Sequence, residues 1–576
     1  MTRPLLALLA LALLAGCATI PPSTQPKVVL DNPGEAAAPI SGPSPDLDPF
    51  SLVREFLYNA GNIRAARTYL TEQAQQTWPG EELPRIIADS PTYRPELSSA
   101  GVPESQDPNT KVITLTTQEL GSLKPDGSYF PAVDGGEQQD RLILQRQQDN
   151  QWRIAQPPPD WLITKSRFEI AFRRVNLQFF DPGQKVLVPD PRWVTVEPRT
   201  SLERRVVDLL LAGPSEGMRD AVVSALAGVE TRTNVVQDSD GAIRINLSNV
   251  GERSLEERSR MVAQIVNSLS GVTLNKLRLL DNDSALIPDR QDWRPDDVPT
   301  YDVLATPKPD LTGLAVSGRT VISLRDGKPI PGPAGSGAYN LVSAAQSLDG
   351  GHLAVVERVP GGMRLRVGAI GEELQAVALD DVKSLTRPTW TPGGAEGEPG
   401  NEVWTVLNET TVVRATRAAN GWSVLSVNAN ELTRGGGRIT ELRLSRDGVR
   451  LAAVVNGEVQ VASIVRGDDS VTIRAPRTLQ FGTIRGAVSL DWSERTVLVV
   501  ATRLPHLPIV SMPVDGFDIT PYLTTNLTLP PKAVTAAPSR PVVVTDQADI
   551  WSTAEPGKVF LNDPQGGANS LPFYPG

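Results

Sequence analysis

Residues 347–356 read SLDGGHLAVV and residues 445–455 read SRDGVRLAAVV. In both, a serine and an Asp-Gly pair precede a run of aliphatics. Asp-Gly accepts the positive backbone dihedral of a tight hairpin, and the aliphatics after it predict a strand buried between neighbouring sheets. Weaker copies follow the same grammar: Trp390-Thr391-Pro392-Gly393-Gly394, Trp492-Ser493-Glu494-Arg495 before Val497 to Val500, and Pro538-Ser539-Arg540 before Val542 to Val544. Counted from Ser347, Thr391, Ser445, Ser493 and Ser539, the steps are 44, 54, 48 and 46 residues. That is the length of a four-stranded blade, so residues 289–576 are expected to form an all-β propeller of five or six blades. A sixth could be built from residues 300–330, where Val303-Leu304-Ala305 and Thr320-Val321-Ile322 read as strands, but no Asp-Gly turn precedes them. A β-sandwich with similar strand spacing is the alternative.

Upstream the periodicity changes. Leu177, Phe179 and the Asp181-Pro182-Gly183 turn predict a hairpin into Val186 to Val188, with Pro189 to Val194 continuing as an irregular extended stretch. Thr200 and Glu203 form a capping box ahead of a helix carrying Val206, Leu209 and Leu210, which Gly213-Pro214 ends. Ile243, Ile245 and Leu247 alternate as a strand. Ser254 and Glu257 cap a second helix with the apolar stripe Leu255, Val262, Ile265, Val266 and Leu269, before a last strand containing Leu277 and Leu279. The run from Val206 to Pro214 and the capped helix at 255–269 resemble the GerMN domain of spore-germination proteins. The resemblance covers roughly residues 168–288, implies an α+β envelope module over 166–288, and carries over no catalytic residue.

Residues 47–165 begin with helical spacing at Leu52, Val53, Phe56 and Leu57, broken at Gly61-Asn62 and resumed from Ile63 to Leu70. Val112 to Leu115, Leu142 to Leu144 and Gln151 to Ile154 then read as strands. Helices followed by an antiparallel sheet describe a small α+β domain, and this order resembles the NTF2-like fold.

Cys17 is the only cysteine among 576 residues. It closes Leu14-Ala15-Gly16-Cys17 after a short apolar run from Leu5, with Arg3 as a minimal basic region. The run is too short to span a bilayer, which needs about 20 apolar residues. It resembles a bacterial lipobox, which implies a signal peptide over residues 1–16, acylation of the Cys17 thiol and anchoring by two or three chains. Residues 17–46, rich in Pro, Ala, Ser and Gly, read as a tether reaching about 30 Å. A formal charge of −10 argues against nucleic acid as a partner.

Motifs for chemistry are sparse. Gly213-Pro214-Ser215-Glu216-Gly217 spells a nucleophile elbow, which requires a strand before the serine, but a helix precedes it here. The only histidines, His352 and His506, both lie in the propeller segment and have no metal-like neighbours. Asp238-Ser239-Asp240-Gly241 opens like a calcium loop, yet Asn249 stands where the bidentate acid belongs, so a hairpin turn is expected. Asp281-Asn282-Asp283 reads as a polar loop. No phosphate-binding or dinucleotide fingerprint appears; no cofactor, metal or catalytic residue is expected.

Taken in order, these segments resemble the LpqB family of actinobacterial lipoproteins. The resemblance implies a lipid-anchored, non-enzymatic protein on the extracytoplasmic face of the cell membrane. Its implied partner is the extracytoplasmic region of the sensor histidine kinase of the MtrA–MtrB two-component system. A module binding peptidoglycan or another wall polymer, and a hydrolase built in the propeller's funnel, are the alternatives.

Overall fold

The computed structural model describes residue 40 and residues 42–576, except 79–82, 96–106, 134–135, 197–201, 302–306, 393–399 and positions 420, 435, 469 and 564. Cys17, the signal peptide, most of the tether, Thr200, Gly393-Gly394 and the strand expected at 303–305 lie outside the described residues.

The N-terminal part starts with helices at Pro49–Asn59, Ile63–Arg67 and Glu72–Thr77. Asp48 starts the first: its carboxylate accepts from Phe50 N (3.0 Å) and Ser51 N (3.2 Å), while Pro49 occupies a position where no amide is missed. The second helix stops at Arg67, short of the expected Leu70, which instead bridges to Ile154. The helices cover one face of an open sheet whose spine is Thr110–Leu123, flanked by Glu137–Arg146 and Arg85–Ile87. Leu52, Val53, Phe56 and Trp78 pack on Ile113, Leu115, Leu142, Leu144 and Ile154, all buried.

In the middle part, Phe172–Phe180 and Leu187–Thr195 form an antiparallel hairpin. Asp181 closes it, accepting from Gly183 N, Lys185 N and Val186 N. The second strand corrects one expectation. The segment from Pro189 to Val194 is regular strand, not irregular chain, and this two-stranded sheet tolerates Pro189 and Pro191 because their missing donors face no third strand. Ile243–Ser248 and Leu277–Asp281 pair in parallel, joined by the helix Leu255–Leu269. Both halves of the Ser254/Glu257 capping box form. Leu255, expected in the apolar stripe, is exposed; Met261 is buried in the core instead, with Val262, Ile265, Val266 and Leu269.

The C-terminal part is a ring of six sheets. Five have four strands each, over 341–376, 389–426, 439–478, 487–521 and 533–562. The sixth joins Leu314–Ser317 and Thr320–Ser323 to Leu571–Phe573, so a strand from the end of the segment closes the ring onto its beginning. The first strands of successive sheets neighbour one another in order around the ring.

The repeated serine and Asp-Gly motif is the hairpin between the first and second strands of a blade. Gly350 and Gly448 have φ of 79° and 76°. Each donates its amide to the carbonyl of the serine at 2.9 Å, and the serine hydroxyl accepts the amide five residues on, His352 N at 2.9 Å and Arg450 N at 3.0 Å. Leu353 to Val356 and Leu451 to Val455 are buried on both faces, as expected for strands held between blades.

Candidate functional site

The inner strands of the ring converge on an ionic network. Arg387, just ahead of the second blade, pairs with Asp491 of the fourth at 3.2 Å and approaches Glu441 of the third at 3.8 Å. Arg443 holds Glu441 at 2.6 Å and donates to the carbonyls of Arg387 and Pro388. Thr535 of the fifth blade donates to Asp491 at 2.7 Å, and Arg387 reaches the Pro572 carbonyl of the closing strand at 3.3 Å. Burial pushes the Glu441 carboxyl up to about 8, against the pull of Arg387 and with the help of Asp491. Both acids of this network, Glu441 and Asp491, face arginines, and Asp491 also accepts from Thr535.

Ser215, His352 and the Asp281-Asn282-Asp283 turn marked in the sequence have structural partners. Ser215 is buried after a helix, its hydroxyl donating to Asp190 at 3.0 Å and its amide at 2.8 Å. Asp190 in turn pairs with the fully buried Arg192 at 2.9 Å. His352 opens the second strand of its blade beside Trp390 and 3.3 Å from Arg417; His506 lies exposed in a loop. Asp281-Asn282-Asp283 is a tight hairpin turn with Asn282 and Asp283 at positive φ, and Arg258 and Arg232 pair with its acids.

The turn resembling a calcium loop is likewise occupied by cations. Arg278 reaches Asp238 (2.9 Å), Asp240 (2.8 Å) and Asp292 (2.8 Å), and Lys276 reaches Asp240 and Asp292. Hydrogen bonds from Arg278 and Lys276 hold Asp240 well below the usual carboxylate range. Among the described residues, no group of three or more His, Cys, Asp and Glu side chains is placed to hold a metal. Adding millimolar calcium is therefore expected to leave the thermal midpoint unchanged in a dye-based melt; a clear rise would mean that these carboxylates release Arg278 to take the ion.

The parts are joined at a polar and aromatic junction that the sequence reading missed. Propeller residue Phe517 enters the N-terminal core, with ring centroids 5.2 Å from Tyr129, 5.4 Å from Phe168 and 4.5 Å from Trp193. Two residues earlier, Asp515 accepts Trp193 Nε1 (3.3 Å) and pairs with Arg174 (3.1 Å). Arg450 and Arg495, in or beside the repeat turns, donate to the carbonyls of Pro189 and Leu187. Val449 packs into the core of the middle part. The repeat turns of the third and fourth blades therefore both build the propeller and hold the hairpin.

Beside the junction lies a cleft of about 520 Å³ between the N-terminal sheet and the propeller. Tyr129 and Phe517 line it, with Gln118 to Leu120 on the side of the N-terminal sheet and Gln480 to Thr483 and Arg485 on the propeller side.

No helix among the described residues is long and apolar enough to cross a membrane. Three family models match in chain order: "Lipoprotein LpqB, N-terminal domain" over 42–169, "Sporulation and spore germination" over 176–286, and "Lipoprotein LpqB beta-propeller domain" over 320–575. Among solved structures, a virginiamycin B lyase from Staphylococcus aureus aligns with 39% of this chain and 70% of its own at 16% identity and a TM-score of 0.29, a likeness too slight to inform the chemistry. Lipoprotein LpqB of Rhodococcus opacus is 29% identical, covering 99% of this chain and 97% of its own. That of Mycobacterium tuberculosis is 28% identical over 94% and 93%. Lipoprotein LpqB of Mycolicibacterium smegmatis is 30% identical over 94% of this chain and 92% of its own. With its propeller and germination-type modules matched in that order, the chain belongs to the LpqB lipoprotein family.

Proposed function

We propose that this protein is a lipid-anchored accessory protein on the extracytoplasmic face of the cell membrane that tunes a sensor kinase of the MtrA–MtrB type in envelope homeostasis and division. The observation that carries this reading is the match to LpqB lipoproteins along nearly the whole chain. Cys17 takes the lipid, residues 17–46 form the tether, and 47–165, 166–288 and 289–576 are the domains, the first an NTF2-like module with a structural role. Confinement to the membrane raises the concentration of these domains seen by a membrane partner. A non-enzymatic role is supported by the pairing of the axial acids with arginines and by the engagement of Ser215 with Asp190.

Crosslinking in intact cells with the lipidated protein as bait tests the reading. The kinase is expected among the captured proteins, and Cys17→Ala is expected to reduce its recovery and alter phosphorylation of the response regulator. Capture of wall fragments without a kinase would favour the polymer-binding alternative.

A further inference from the structure

The cleft beside the junction has a volume within the range of about 300–1,000 Å³ typical of binding sites, and its accessible lining is about equally polar and apolar. The apolar part of the lining comes from the edges of the buried Phe517 and Tyr129 and from Phe481, Ile519, Leu120 and Pro131. Four formal charges line it, and three are spoken for. Lys165 and Asp518 pair with each other at 2.9 Å across the two domains. Glu119 lies 3.9 Å from Arg85, and burial raises its carboxyl above the ordinary value against that pull.

The fourth is Arg485, which is exposed. Among the described residues no carboxylate pairs with it, and its guanidinium sits 6.0 Å from the centre of the Phe481 ring. A guanidinium beside an aromatic face presents its donors in a fixed fork suited to a carboxylate. The chain as a whole is acidic at −10, so attraction of an acidic partner to this place depends on this local cation. Gln118, Gly482, Thr483 and Asp518 on the rim are exposed, so the cleft opens to solvent from both domains.

We propose that this cleft docks a short extended segment of a partner protein, with an acidic side chain on Arg485 and a neighbouring apolar side chain against Phe481 and Ile519. The proposal rests on the accessory reading above and gives it a contact point.

The probe is a fluorescein-labelled octapeptide of alternating leucine and glutamate, titrated by anisotropy with the lipidated full-length protein in detergent. A matched peptide with glutamine for glutamate is the control. The wild type is expected to bind the acidic peptide, with affinity reduced roughly tenfold or more by Arg485→Glu and by the glutamine peptide, and falling as salt rises. Ile519→Asp, placed at the apolar wall, is expected to weaken binding independently, which keeps the test decisive if one variant misfolds by circular dichroism. No binding to the wild type, or equal binding of both peptides by wild type and Arg485→Glu, would overturn the proposal. In cells, kinase recovery unchanged by Arg485→Glu would sink the cleft as the contact and leave the accessory reading standing. Recovery from neither strain would sink that reading, and the titration would still judge the cleft.

Discussion

Phe517→Ala is expected to destabilise the protein by about 3–5 kcal/mol and to split its unfolding into two transitions, the propeller melting apart from the N-terminal part. Phe517 stands on a propeller loop, yet its ring is buried among Tyr129, Phe168 and Trp193, and among the described residues it is the single propeller residue in that core. Truncation leaves a cavity that the wild-type surroundings fill with one side chain from the other domain. The polar contacts around it would then face water: Asp515 with Trp193 and Arg174, and Lys165 with Asp518. Such exposed pairs are worth about 0–1 kcal/mol each and cannot hold two domains alone. Phe517→Leu retains much of the buried volume and is expected to lose less and to keep one transition. Calorimetry with limited proteolysis reads both effects. A single transition at the wild-type midpoint for Phe517→Ala would mean that the junction contributes no cohesion between the parts.

What the sequence made legible was local. Ser254 and Glu257 are three residues apart and satisfy each other's backbone wherever the helix ends up, so the box could be read without knowing the fold. The Asp-Gly turns are equally self-contained, since each serine binds atoms within five residues of itself. Pairings across long sequence separations were not legible. Leu571–Phe573, a three-residue strand containing Pro572, reads as coil until it is set against Leu314–Ser317 more than 250 residues earlier. Pro189 and Pro191 obscured a nine-residue strand for a similar reason: proline is excluded from central strands and tolerated where one side has no partner. Leu255 fitted the helical stripe but occupies the first turn, beyond the edge of the core. The candidate site was the least legible part, because Arg450, Phe517 and Asp515 act across domain boundaries and no spacing rule links them to Pro189 or Trp193.

The propeller's axis carries the second large effect. Asp491→Ala is expected to cost about 3–5 kcal/mol, because it strips the largely buried Arg387 of its closest carboxylate while the guanidinium stays among the inner strands. Arg387 would keep Glu441 at 3.8 Å and the Pro572 carbonyl, and the Thr535 hydroxyl and Ala536 amide would lose their acceptor. The pH dependence identifies the charge as the cause. Glu441 has an unfolded value near 4.5 and a folded value near 8, so between those pH values the folded chain keeps a proton that the unfolded chain has released. Raising pH through that window therefore favours unfolding, and Glu441's contribution to stability falls until its folded carboxyl ionises near pH 8. Glu441→Gln, which resembles the protonated acid and cannot ionise, is expected to flatten this fall. Asp491→Ala is expected to shrink it as well, because the Asp491 charge helps to hold Glu441 protonated. Urea midpoints of the three proteins from pH 5 to 8.5 separate these outcomes. If the wild type and Glu441→Gln show the same slope, the network is held by hydrogen bonds indifferent to Glu441's proton, and the loss in Asp491→Ala reflects packing alone.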